Sequence, residues 1–231
     1  MSARYAVYFA PDKTSAWWVF GAYWLGRNEF DNTALPQPAF TDISPIELNR
    51  LTNEPRRYGF HATLKAPFRL ASGHDEAGLI KRLNALADQL TPVALGTMRV
   101  ATLGNFVALI PALNPDGLEA LAAACVTELD DLRAPLLGTD LIRRRVETLD
   151  ARALELLALY GYPHVLERFR LHLTLANPVV AMQAQRVTSA LTAQVDQLNK
   201  ESPLLLDRLC LFVEPAPGEP FQRIADVALR A

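Results

Sequence analysis

Two short segments of the sequence carry side chains that can do acid–base chemistry. Residues 60–64 read Phe-His-Ala-Thr-Leu, and residues 171–175 read Leu-His-Leu-Thr-Leu. Both segments alternate apolar and polar residues with the two-residue period of a β-strand. On such a strand His61 and Thr63, or His172 and Thr174, point to one face while the apolar residues point to the other. Each segment is therefore expected to present an imidazole and a hydroxyl together.

Paired histidines suit reactions at a phosphate ester, where one group takes a proton and another gives one. An unperturbed imidazole pKa of ~6.5 allows either role near neutral pH. One ring must be neutral and the other protonated, and the sequence leaves open which is which. The hydroxyls of Thr63 and Thr174 can donate hydrogen bonds to non-bridging phosphate oxygens. The four side chains are therefore predicted to be catalytic.

A single histidine on a strand is more often a structural residue than a catalytic one, and a three-residue motif is a weak signal by itself. The chain has only 4 His, however, and two of them stand in the same apolar frame with threonine at the same offset. The repeated pattern favours a site over a coincidence.

The composition narrows the class of protein. The 231 residues are 50% hydrophobic and 21% charged, as in ordinary globular proteins, and their formal net charge of −2 does not favour nucleic acid as a partner. The sequence shows no signal peptide and no apolar run of the ~18 residues that cross a membrane, so a cytoplasmic protein is expected. Two cysteines in apolar runs cannot form a cysteine-rich zinc site. No metal or cofactor is expected.

Helical and strand-like periodicities alternate along the chain. Helices are predicted over residues 15–25, 75–90, 115–132, 150–160 and 183–199. Strands are predicted over residues 5–10, 58–70, 98–103, 106–110, 169–178, 204–214 and 221–229, and residues 30–55 are expected to be a connection.

The order of these elements is similar in the two halves, and the two histidines lie 111 residues apart. A duplicated unit follows from such long-period similarity. We expect an α+β fold in one two-lobed domain, with lobe 1 at about 1–104 and lobe 2 at about 105–220, and the last strand returning to lobe 1. Two antiparallel sheets would face each other across a cleft, with helices outside.

At these residues the sequence resembles the two-histidine (2H) phosphoesterase superfamily, whose signature is one His-x-Thr/Ser motif in each duplicated lobe. Longer segments are similar to one branch of it, which is associated with bacterial phosphonate-metabolism operons. They are residues 24–27 (Trp-Leu-Gly-Arg), 57–68 around His61, 133–135 (Arg-Ala-Pro), 161–163 (Gly-Tyr-Pro) and 169–172 (Phe-Arg-Leu-His). The resemblance covers nearly the whole chain.

The resemblance implies a metal-independent phosphoric diester hydrolase that acts on a small cyclic or nucleotide-like phosphodiester in phosphonate metabolism. One alternative is an enzyme that processes RNA 2′,3′-cyclic phosphate ends, against which the mild acidity of the chain stands. Another is a binding module for a phosphate ligand that has lost turnover, although both motifs are intact. A metallohydrolase is disfavoured because each His-x-Thr motif offers one metal ligand and no acidic cluster accompanies it.

Six further residues are candidates for binding the substrate. Lys65 lies an even number of residues from His61 and Thr63, so on a regular strand it points to the same face, although it can equally end the strand in solvent. Tyr58 has the opposite parity, and core packing competes with substrate binding there. The other four are arginines, from the branch motifs or from the one basic cluster: Arg27, Arg133, Arg143 and Arg144.

Overall fold

The computed structural model describes residues 3–143 and 146–230. Within these ranges the chain forms nine strands. They are β1 (Arg4–Phe9), β2 (Ala62–Phe68), β3 (Val93–Ala94), β4 (Met98–Leu103), β5 (Phe106–Pro111), β6 (Leu173–Ala176), β7 (Leu205–Leu206), β8 (Arg208–Glu214) and β9 (Gln222–Ala228).

Eight α-helices lie in the same ranges: α1 (Ala16–Leu25), α2 (Pro45–Leu51), α3 (Asn53–Tyr58), α4 (Glu76–Ala87), α5 (Leu118–Thr127), α6 (Gly138–Arg143), α7 (Ala151–Tyr160) and α8 (Ala181–Glu201). Short 3₁₀ turns span Asp130–Leu132, Val146–Thr148 and Leu166–Arg168. None of the helices in the described ranges combines the length and apolar character needed to cross a bilayer.

Residues 30–55 are more regular than the expected connection. The helix α2 begins after Ser44, whose side chain accepts a hydrogen bond from the backbone N–H of Glu47, and Pro45 occupies the first helical turn. A serine cap followed by proline is a good start for a helix. The signal was present in the sequence, but the segment is too short to show a clear apolar period.

Seven strands form one antiparallel sheet in the order β4-β5-β6-β2-β1-β8-β9, and β3 pairs with β7 in a small second sheet. The α+β class is confirmed. The arrangement of two sheets facing each other is not found, because β2 pairs with β6 at Ala62 and Leu173 and so joins the two halves edge to edge. Pairing satisfies backbone groups that two separate sheets would leave unpaired at their edges.

Four of the helices pack on one face of the large sheet. Side chains from α1, α4, α5 and α8 share a single core with Phe9, Ala62, Leu64 and Leu173. A smaller apolar cluster containing Ala6, Tyr8, Phe212 and Phe221 lies apart from this core. Residues 6–9 of β1 therefore divide between the two clusters, as the alternation of a strand requires.

Candidate functional site

The two His-x-Thr motifs lie side by side on neighbouring strands. Because Ala62 and Leu173 are antiparallel partners, the register places His61 opposite Thr174 and Thr63 opposite His172. Residues directly opposite each other on one face have Cβ atoms about 4.5–5.5 Å apart. The four side chains thus form a square on one face of the sheet. Both motifs contribute to one site, although across a strand pair rather than across an open cleft.

His61 is held from two sides. Its Nδ1 lies 2.9 Å from the backbone oxygen of Gly59, and its Nε2 lies 3.4 Å from the hydroxyl of Thr63. A carbonyl can only accept, so Nδ1 carries the proton in the neutral ring and Nε2 is left as an acceptor. The ring of Tyr8 stacks on the imidazole with centroids 3.8 Å apart. The sequence thus places a pre-oriented acceptor nitrogen beside Thr63.

His172 repeats this geometry. Its Nδ1 lies 2.8 Å from the backbone oxygen of Arg170, again two residues earlier in the chain. The ring of Phe106 lies beside it, with centroids 5.5 Å apart. The same tautomer is therefore favoured for both histidines, and in both Nε2 is the nitrogen available for proton transfer.

A cavity of about 380 Å³ opens next to the square. His61, Thr63 and Thr174 line it, together with Arg4, Tyr8, Tyr58, Ala66, Pro67, Asp140, Leu149, Tyr162, Pro163 and His164. His172 does not line the cavity itself, although the strand register places it opposite Thr63, which does. A cavity of this size, mixing aromatic surface with a few convergent polar groups, is typical of a small-molecule site.

The electrostatics favour neutral imidazoles. Burial lowers the pKa of His61 to about 4, and the neighbouring His172 and Arg27 act in the same direction, against the hydrogen bond to Gly59. Burial also lowers the pKa of His172. Both rings are therefore neutral at pH 7 without a ligand. A bound dianion would raise both pKa values, because a nearby negative charge favours the protonated ring.

We expect this behaviour in a titration of the imidazole signals by nuclear magnetic resonance. His61 should titrate near pH 4, and addition of sulfate, which stays dianionic throughout, should move its pKa upward.

The free energy of unfolding should depend on pH because the pKa of His61 differs between the folded and the unfolded chain. The unfolded ring protonates near pH 6.5 and the folded ring near 4, so stability is lost as the pH falls between these values. A His61 signal that titrates near 6.5 and ignores sulfate would contradict this electrostatic picture.

Lys65 does not reach the cavity. Its buried amine lies 2.9 Å from a carboxylate oxygen of Asp130 and 3.0 Å from the backbone oxygen of Val126. The reason is a register shift in the pairing with β1, where Tyr8 lies opposite Thr63 but Val7 lies opposite Lys65. Such a bulge reverses the parity of the side chains that follow it. Neither of the two expected positions, at the phosphate or in solvent, is found.

Replacing Lys65 with methionine should therefore leave the affinity for a phosphate ligand within about two-fold of wild type, or ~0.4 kcal/mol. The melting temperature should fall, because Asp130 loses a buried partner. Calorimetric titration and a thermal melt measure the two effects. A loss of affinity with an unchanged melting temperature would show that Lys65 does bind the ligand.

The two arginines of the branch motifs donate hydrogen bonds to backbone oxygens and do not face the cavity. Arg27 donates to the backbone oxygens of Arg56, Arg57 and Phe221. Arg133 pairs with Asp130 and donates to the backbone oxygen of Leu159. Neither lines the cavity, so their substrate-binding role is not supported by their positions.

The remaining candidates divide between the cavity and the segment outside the described structure. Tyr58 lines the cavity, with its ring centroid 6.1 Å from that of His61. Arg144 and the side chain of Arg143 lie outside the described residues.

The sequence did not single out several residues of the cavity wall. Arg4 and Tyr8 have the same parity on β1, the strand next to the first motif, so the alternation of that strand could have indicated them. Tyr162 and His164 come from the loop after α7. Tyr162 lies in the Gly-Tyr-Pro segment of the resemblance, but local periodicity does not predict that this loop returns to the sheet. Asp140 reaches the wall from α6 and pairs with Arg69.

Among the described residues no group of three or more His, Cys, Asp or Glu side chains is arranged to hold a metal ion. The expected absence of a metal stays a prediction.

The sheet and the joined His-x-Thr motifs define an α+β protein in which two neighbouring strands bring both motifs beside one cavity. The family model "Protein of unknown function (DUF1045)" matches residues 63–222, and the chain belongs to this family.

Two relatives share the name ribose 1,5-bisphosphate phosphokinase PhnN. The protein of Janthinobacterium sp. (strain Marseille) is 38% identical over 221 residues, which are 94% of this chain and 49% of the relative. The protein of Laribacter hongkongensis (strain HLHK9) is 36% identical over 220 residues, which are 95% of this chain and 50% of the relative. The chain spans about half the length of these curated relatives, and the family is phosphonate-associated.

The names of the relatives correct the predicted reaction. A phosphokinase is a transferase, so the predicted phosphoric diester hydrolase, its phosphodiesterase label and its cyclic phosphodiester substrate are wrong by this comparison. The physical reason lies in the chemistry of the site. Two imidazoles and two hydroxyls around a phosphate can assist attack by water or by another acceptor, so these residues alone do not specify the reaction.

Proposed function

We propose that this chain binds a small ribose phosphate, such as ribose 1,5-bisphosphate, in the cavity beside the two motifs, and that it takes part in phosphoryl transfer involving this ligand. The observation that carries the proposal is the square of His61, Thr63, His172 and Thr174 beside the cavity, of which all but His172 line its wall. The names of the two relatives supply the chemical class of the ligand.

The square offers donors and acceptors for one phosphate group. Thr63 and Thr174 can each donate a hydroxyl hydrogen bond to a non-bridging oxygen. In the tautomer that the bond to Gly59 favours, His61 can accept a proton at Nε2, or donate from Nε2 once the charge of the phosphate has raised its pKa. We assign proton transfer to His61 and His172 and stabilisation of negative charge to the two threonines. The choice of acid and base depends on the direction of attack.

This chain is proposed to bind the ribose phosphate, and no nucleotide site is assigned to it. The printed sequence contains no Gly-x-x-x-x-Gly-Lys-Ser/Thr loop, which commonly holds nucleotide phosphates. The relatives are about twice as long as the matched region. The complete phosphokinase reaction therefore remains a statement about those longer proteins.

We also propose that the chain is a diverged member of the two-histidine superfamily, built by duplication of a lobe at about 1–104 and a second at about 105–220. The support is the equivalent bond from each His Nδ1 to the carbonyl two residues earlier. The strand β9 pairs with β8, which pairs with β1, so the end of the described chain lies on the side of the first lobe.

Calorimetric titration tests this function. Ribose 1,5-bisphosphate should bind more tightly than ribose 5-phosphate, and ribose without phosphate should not bind measurably. The variant with both Thr63→Val and Thr174→Val should bind at least ~10-fold more weakly, since each lost hydrogen bond to a charged group is worth about 1.5–3 kcal/mol. The Lys65→Met variant is the matched control. Equal affinity for ribose and its phosphates, or no effect of the double threonine change, would overturn the proposal.

A further inference from the structure

The orientation of His61 depends on a glycine at the end of a helix. Gly59 follows α3 with φ +82° and ψ 178°, and its carbonyl oxygen accepts from Nδ1 of His61. A residue with a side chain rarely adopts this positive φ. A Cβ atom added to Gly59 would also lie 3.0 Å from Cβ of Glu29 and 3.6 Å from Nη2 of Arg27. The backbone at this point is therefore tightly enclosed.

Arg27 holds the helix end that precedes this glycine. Its Nε lies 2.7 Å from the backbone oxygen of Arg56, and its Nη2 lies 3.1 Å from that of Arg57 and 2.9 Å from that of Phe221. Nη1 donates to the side chain of Asn32. The last carbonyls of a helix have no partner within the helix, and a cation is favourable there. One guanidinium thus joins the end of α3 to the segment before β9.

We propose that Arg27 is a positioning residue for His61. By fixing the carbonyls of Arg56 and Arg57 it fixes Gly59, and through Gly59 it selects the tautomer that leaves Nε2 of His61 facing Thr63. This inference goes beyond the proposed function, because it concerns the state of the imidazole whatever ligand the cavity takes.

Arg27 lies close enough to act by charge as well as by geometry. The titratable and charged groups around the imidazole are Tyr8 from β1, Tyr58 from α3, His172 from the start of β6, and Arg27. Arg27 is buried, with a pKa lowered to about 10 chiefly by that burial, so it is still protonated at neutral pH. Its charge adds to the effects that keep His61 neutral.

Arg133 shows the same construction at another helix end. It donates to the backbone oxygen of Leu159 near the end of α7, and a Cβ atom added to Gly161 would lie 3.0 Å from its Cδ. Gly161 has φ +72° and leads into the loop with Tyr162 and His164 on the cavity wall. Two arginines that the sequence marked as substrate ligands thus both hold glycines that precede cavity residues.

The test is the ring ¹⁵N spectrum of His61 in Arg27→Lys and Arg27→Gln variants. The Lys variant keeps the charge but loses the branched set of donors, so the Nδ1–H of His61 should exchange faster, and its pKa should fall because the bond to Gly59 that raises it is weakened. The Gln variant loses the charge as well, so exchange should quicken in the same way, and the His61 pKa should lie above that of the Lys variant because a neighbouring positive charge is gone. His172, which has the equivalent bond to Arg170, should change in neither variant and is the internal control.

Arg82→Lys is the matched control variant, because Arg82 also donates from one guanidinium to a backbone oxygen, that of Glu128, and to a side chain, that of Asp131, but away from α3 and from the cavity wall. It should leave the His61 signals unchanged. If the Gln variant does not fold, the Lys variant decides. Folded Arg27 variants whose His61 tautomer, exchange rate and pKa all equal those of wild type would overturn the proposal, as would equal changes at His61 and His172.

Discussion

Replacement of His61 with alanine should slow phosphoryl transfer involving a bound ribose phosphate at least ~10²-fold, the usual contribution of a general acid or base. The structure supports this because the bond from Nδ1 to Gly59 leaves Nε2 of His61 as an acceptor beside the hydroxyl of Thr63. His172→Ala should have an effect of similar size. The double variant should be much less impaired than the product of the two, because both rings serve one transfer. Phosphorus magnetic resonance with ribose 1,5-bisphosphate, recorded with and without a nucleoside triphosphate, measures the rate, because the chain is assigned the ribose phosphate and no nucleotide site.

His74→Ala is the control for this experiment, since His74 is an exposed residue away from the cavity. It should react at the wild-type rate. Unchanged rates in the His61 and His172 variants would contradict the assigned proton transfer.

Replacement of Gly21 with alanine should have the largest effect on stability. Gly21 lies in α1 against the ring of Phe60, and an added Cβ atom would come within 2.0 Å of two ring carbons. Phe60 is fully buried and directly precedes His61, so the ring cannot move without displacing the first motif. Overpacking of this kind costs typically 1–3 kcal/mol and occasionally more. Chemical denaturation should show a loss of about 3 kcal/mol or more in the free energy of unfolding.

Gly138→Ala is the matched control for Gly21→Ala. Gly138 begins α6, and no atom lies within 4 Å of an added Cβ. Here the methyl group meets no obstacle and reduces the freedom of the unfolded chain, so stability should rise by about 0.4–1 kcal/mol. Equal effects of the two substitutions would contradict the packing described for Gly21.

Local elements were predictable where the apolar period was long and the ends were marked. The expected helix over residues 15–25 is observed as α1, with Ser15 as its cap, and the helix over 75–90 is observed as α4, capped by Asp75. The strand over residues 5–10 is observed as β1. In these segments the local pattern and the tertiary packing agree.

The way in which the halves join was not predictable from local pattern. Pairing of β2 with β6 is a contact between distant parts of the chain, and periodicity within a strand does not specify its partner. The bulge that turns Lys65 away from the cavity depends on the register with β1. Alternation along a strand therefore predicts which face of the sheet a side chain points to only up to the first bulge.

The residues of the two motifs were predictable from the sequence, but the roles of several other candidate residues were not. The residue types and spacing indicated His61, Thr63, His172 and Thr174, and the structure brings these four together. The arginines were indicated too, but a positive charge in a motif does not distinguish a ligand for phosphate from a donor to backbone carbonyls. The reaction class was wrong because the residues that assist attack on phosphorus are shared by hydrolysis and transfer.

The most direct measurement for the central claim is a crystal structure of the chain with ribose 1,5-bisphosphate. We predict one phosphate group in the cavity, within hydrogen-bond distance of Nε2 of His61 and of the hydroxyls of Thr63 and Thr174. Thr63 lies opposite His172 in the register, so that ring should border the same phosphate. A ligand bound elsewhere on the surface, with the four side chains unoccupied, would contradict the claim.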